Sequence, residues 1–68
     1  MNSAQQETDG GHWRVVIQSD NALERLNQII AVEAPTLDPV RKVPNSARTY
    51  RIHPDSFNVV RFHLGLNG

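Results

Sequence analysis

The side chains in this sequence best able to do chemistry are the histidines His12, His53 and His63 and the arginines Arg14, Arg48, Arg51 and Arg61, all in segments that read as strands and contain no carboxylate. A guanidinium is permanently charged and presents a planar fork of donors that matches a carboxylate or a phosphate. An imidazole titrates near neutrality and ligates metals. Residues of these types on one sheet face would bind anions, and the histidines would make an interface there sensitive to mild acid. A second basic feature, the adjacent pair Arg41-Lys42, lies in a proline-rich connection, where it is expected either as a solvated loop or as a contact to phosphate or an acidic partner.

Other chemistry finds few residues. No Ser/His/Asp arrangement, paired carboxylate or glycine-rich phosphate loop is visible; Gly10-Gly11 and Gly65-x-x-Gly68 lack the strand-turn-helix context of such loops. Asp55 beside His53 reads as a turn residue. No catalytic residue, cofactor site or metal site is therefore expected, and the chain is expected not to be an enzyme. A hairpin of the last two strands would set His53 and His63 roughly 15 to 20 Å apart, too far to share an ion. His12 is expected nearer to His63.

These side chains need elements to position them. The segment His12-Trp13-Arg14-Val15-Val16-Ile17-Gln18 is aromatic and β-branched and reads as a strand, with Trp13, Val15 and Ile17 inward and His12, Arg14, Val16 and Gln18 outward. Asp20 or Asn21 caps a helix that runs to about Glu33, with Glu24 placed as a capping-box partner of Asn21. Ala22, Leu23, Leu26, Ile29, Ile30 and Val32 give that helix one apolar stripe, and Pro35 stops it. Pro35, Pro39 and Pro44 stiffen the connection that follows, which Leu37 and Val40 tuck down.

Ala47 to His53 and Phe57 to Leu66 read as a strand pair around the turn formers Pro54-Asp55-Ser56. A three-residue loop sets His53 opposite Phe57, Arg51 opposite Val59, Thr49 opposite Arg61 and Tyr50 opposite Val60. Tyr50 and Phe62 then face the helix as core, as does Trp13. A right-handed crossover makes the first two strands parallel with the long third strand between them. The expectation is an α+β fold: a small β-α-β-β unit, half of a ferredoxin-like sandwich, with a three-stranded mixed sheet in order 1-3-2 and one helix on one face. It would fill His12 to Gly68 as a single domain after a disordered leader, Met1 to Gly11, polar and too poor in apolar residues to order itself.

Arg14, Val16, Arg51, His53, Phe57, Val59, Arg61 and His63 would share the open face of this sheet. Such a face could bind phosphates and stack a base on Phe57, as sheet-platform RNA binders do, but the aromatic content is thin. The outer edge of the first strand would be unprotected, open to a second copy across a two-fold axis or to a partner's strand.

Composition sets the bounds. The chain has 68 residues, enough for one small domain. It has no cysteine, which removes disulfides and thiolate chemistry and fits a cytoplasmic setting. Its seven basic and seven acidic residues cancel, which argues against strong non-specific nucleic-acid binding. No membrane span or targeting segment is evident. The leading expectation is a non-enzymatic protein-interaction or regulatory module, of adaptor or inhibitor type and dimeric, acting through its sheet face, first-strand edge or Pro-rich loop. The alternative is a nucleic-acid-binding module using the Arg/His-rich face.

Overall fold

A computed structural model of the chain describes residues 2–8 and 11–64. Its elements are β1 (Ser3–Gln6), β2 (Trp13–Val16), α1 (Ala22–Glu33), β3 (Arg41–Lys42), β4 (Thr49–Ile52) and α2 (Pro54–Val60), which runs into a 3-10 turn, Arg61–Leu64. The four strands form one antiparallel sheet in the order β1-β2-β4-β3. The α+β class is as the sequence implies; the sheet is not the expected three-stranded 1-3-2.

Two of the expected strands pack as their alternation predicts. Val15 and Ile17 are fully buried, Trp13 is half-buried against the core, and Tyr50 and Ile52 are buried from β4. Period-two alternation at a half-buried surface leaves one face no choice. β2 and β4, however, pair directly and run antiparallel, with Trp13 opposite Ile52 and Val15 opposite Tyr50. The chain returns through α1, the proline-rich connection and β3, so no parallel crossover is required.

The largest correction concerns Phe57 to Leu66, expected as the third strand. Among its described residues the chain is helical: α2 and then the 3-10 turn. Leu66 lies outside the described residues. The initiation signal is local. His53 is the N-cap, its Nδ1 accepting the Asp55 N–H at 3.1 Å, and Pro54 at the first helical position brings a φ already suited to a helix. Asp55 adds negative charge to the first turn, where the helix dipole favours it. Phe57, Val60 and Leu64 are buried at helical spacing, whereas Phe62, expected as core, is 84% exposed.

Helix α1 starts and ends where expected, but its cap differs. Asn21 is the N-cap residue without a side-chain capping bond, so the expected capping box is not formed; its Oδ1 instead accepts the Ser19 hydroxyl at 3.1 Å. Ala22, Leu26 and Ile30 are buried, while Val32 is exposed. Both helices cover the sheet face that carries Val15, Ile17, Tyr50 and Ile52, and together with Val40 these residues form the core.

The connection after α1 is ordered by specific bonds. Asn27 holds Val40 from both sides, its Nδ2 donating to the Val40 carbonyl at 3.2 Å and its Oδ1 accepting the Val40 N–H at 2.6 Å. The Ser56 hydroxyl donates to the Asp38 carbonyl. Leu37 and Val40 pack inward as expected. Beyond β3 the chain reverses at Val43-Pro44-Asn45-Ser46, where Ser46 N–H donates to the Val43 carbonyl at 3.3 Å and Asn45 takes a φ of 64°. Proline followed by a residue of positive φ suits a type II turn, and asparagine tolerates that conformation. The reversal lays Arg41 against Arg51 and Lys42 against Tyr50.

β1 forms within the segment expected to be a disordered leader. It pairs with β2 antiparallel, Gln5 opposite Arg14 and Ala4 opposite Val15. Asn2 fastens its start: its Nδ2 donates to the Leu64 carbonyl and its Oδ1 accepts the Gln18 N–H.

Candidate basic sheet face

The strand register creates the site. Gln5, Arg14, Arg51 and Arg41 are opposed in succession across β1, β2, β4 and β3, so the arginines of three adjacent strands form one row on the face away from the helices. Strands lie about 4.8 Å apart, which keeps neighbouring guanidinium groups within reach of one ligand. Like charges set directly opposite destabilise a sheet, so this row needs an anion beside it.

Glu7, immediately after β1, supplies one. Arg51 holds both carboxylate oxygens side-on, Nε to Oε2 at 3.3 Å and Nη2 to Oε1 at 3.2 Å. Arg14 Nη2 lies 3.9 Å from Oε2. The Glu7 side chain is 19% exposed, against 59% for Arg14 and 48% for Arg51. Its backbone N–H donates to the His12 carbonyl at 2.8 Å, which closes the β1-β2 hairpin and aims the carboxylate at the row. Among the described residues Arg41 and Lys42 form no ion pair. Glu7, Arg14, Arg51, Arg41, Lys42, Val43 and Pro44 line a shallow open cavity of about 520 Å³.

Beside the row, where β2 begins and β4 ends, His12 and His53 meet edge to face with centroids 5.3 Å apart, and they line a small cavity of about 90 Å³ with Asp38, Arg41 and Arg51. His12 thus neighbours His53 rather than His63. Among the described residues no group of three or more His, Asp or Glu is placed to hold a metal ion.

The expected face is therefore divided. Arg14, Val16 and Arg51 lie on it, and His53 stands at its end. Of Arg41 and Lys42, expected as a separate loop feature, Arg41 joins it through β3, while Lys42, opposite the buried Tyr50, alternates to the other face and borders the cavity only at the sheet's rim. Phe57, Val59, Arg61 and His63 leave it, because their segment is helical and belongs to the opposite layer. Phe57 is buried and stacks on Trp13 with centroids 4.1 Å apart and planes 8° apart. Val59 packs against the core, Arg61 lies over the Phe57 ring at 5.8 Å, and His63 Nε2 lies 3.6 Å from a Glu33 oxygen. Glu7 was not foreseen as part of the face; a leader without apolar periodicity gives no sign that it forms a strand.

The free edge has also moved. β2, expected at the sheet's rim, lies between β1 and β4, so the outer edge belongs to Ser3–Gln6. The other rim, β3, is two residues long, basic and flanked by Pro39 and Pro44, features that discourage further pairing. Among the described residues no helix is long and apolar enough to cross a membrane. No family model, curated protein or solved structure matches this chain.

Proposed function

We propose that this chain is a non-enzymatic protein-interaction module of adaptor or inhibitor type, that its working surface is the basic sheet face, and that its partner presents an acidic polypeptide segment. The observation that carries this reading is the register row of Arg14, Arg51 and Arg41, with Glu7 the one carboxylate paired to it among the described residues. The way Arg51 holds Glu7 supports carboxylate as the matching group. The absence of cysteine fits a reducing, cytoplasmic setting. Two copies, if they pair through their sheets, meet along the outer edge of β1, and light scattering over a concentration series reads this directly.

Nucleic-acid binding is the second reading, supported by the same guanidinium row. It is weakened by the loss of Phe57, since base stacking contributes about 1–3 kcal/mol per base to single-strand binding and the row itself holds no aromatic ring. Titration with a blocked hexaglutamate peptide and with a single-stranded hexathymidylate, each at several salt concentrations, decides between them. The reading expects saturable binding of hexaglutamate that weakens in Arg41→Gln and Arg51→Gln. Absence of such binding overturns it. Tighter binding of the oligonucleotide, falling steeply with salt, transfers the face to the second reading.

A further inference from the structure

We infer that Glu7 is a built-in stand-in for the partner's carboxylate, so that the partner binds by competing with this residue for Arg51 and Arg14. The inference rests on the reading of the face as an acidic-segment site and names how that site is controlled.

The contact has the form of a recognition bond. Both Glu7 oxygens meet the side of the Arg51 guanidinium, and Arg14 approaches from the neighbouring strand. A segment with several carboxylates that spans the row needs the Arg51 and Arg14 donors as well as those of Arg41, and the first two are the ones Glu7 occupies. The hold is also loose. At 3.2 and 3.3 Å the bonds are longer than the roughly 2.7–2.9 Å usual for charged pairs, and both arginines are about half exposed.

The segment carrying Glu7 has little else to keep the side chain in place. Of β1, Ser3, Gln5 and Gln6 are exposed and only Ala4 packs against the core. Glu7 can swing away while the β1-β2 ladder and the His12 bond persist, because its backbone N–H, not its carboxylate, closes the hairpin. Arg41 and Lys42, on the other side of the same cavity, attract the incoming segment before Glu7 yields. The device sets a threshold: a segment that offers one weak acid loses to the tethered Glu7, and one that also engages Arg41 and Lys42 wins.

The test compares hexaglutamate binding by the wild type, Glu7→Gln and Glu24→Gln. The two substitutions remove the same charge, but Glu24 is an exposed residue of α1, in the layer on the far side of the sheet, and pairs with no arginine of the row. An exposed ion pair favours its closed form by a factor of roughly two to five. Freeing the guanidinium groups therefore tightens binding by about three- to sixfold in Glu7→Gln, with less than about twofold change in Glu24→Gln. A second readout needs no variant: in wild-type protein labelled at glutamate carboxyl carbons, saturation with hexaglutamate moves the Glu7 signal to that of a free side chain. Equal affinities for Glu7→Gln and Glu24→Gln, or a Glu7 carboxyl signal unmoved at saturation, overturn the inference and leave the face reading standing. Failure of every protein to bind hexaglutamate overturns both.

Discussion

Phe57 and Phe62 exchange roles between a strand and a helix, so one pair of substitutions tests the architecture of the whole C-terminal segment. Phe57 is 4% exposed and stacks on Trp13, while Phe62 is 84% exposed. At about 0.05–0.15 kcal/mol per residue, a chain of 68 residues has a total stability of roughly 3–10 kcal/mol. Phe57→Ala would cost about 3–5 kcal/mol and consume much or all of that. Phe57→Leu is the usable variant: it keeps most of the volume and loses the ring stack, for a cost of about 1–2 kcal/mol. With a urea m-value near 1 kcal/mol/M for a domain this small, the midpoint falls by about 1–2 M. Phe62→Ala, which removes a ring already in water, stays within about 0.5 kcal/mol of wild type. Urea unfolding followed by the fluorescence of Trp13, the single tryptophan, measures both. A Phe62→Ala midpoint lowered as far as that of Phe57→Leu would refute the helical packing and restore a strand with Phe62 inside.

Substitutions at two further positions probe how the face is positioned. Asn27→Ala leaves the Val40 N–H and carbonyl without their partner at a buried residue, for an expected loss of about 1–3 kcal/mol, and faster amide exchange at Val40 would localise the effect. His53→Ala removes the acceptor that caps α2 and costs about 1 kcal/mol, whereas His53→Asp recovers most of it; thermal melts of the pair distinguish lost capping from lost histidine packing.

The parts of the fold legible in the sequence are those whose own periodicity leaves one solution. Trp13, Val15 and Ile17 alternate with neighbours that are polar or charged except for Val16, and the stripe Ala22, Leu26, Ile30 recurs at helical spacing; both sets face the core as read. Phe57 to Leu64 has no such single solution. Phe57, Val60 and Leu64 fit a helix, the alternate residues fit a strand, and adjacent Val59-Val60 leans toward the strand. Pro54 behind a capping residue is a helix-start signal, but the same Pro-Asp-Ser run is also turn chemistry. Packing of the Phe57 ring on Trp13, a residue distant in sequence, goes with the helical choice.

The chemistry of the face divides the same way. That Arg14 and Arg51 point away from the core follows from the sequence alone, because side chains alternate across a strand and their neighbours are apolar. Which strands lie side by side does not follow, because register is set between segments far apart along the chain. Only the tertiary structure brings Arg41 opposite Arg51, folds a polar N-terminal segment into β1 through backbone bonds that no side-chain pattern announces, and so delivers Glu7 to the guanidinium groups it holds.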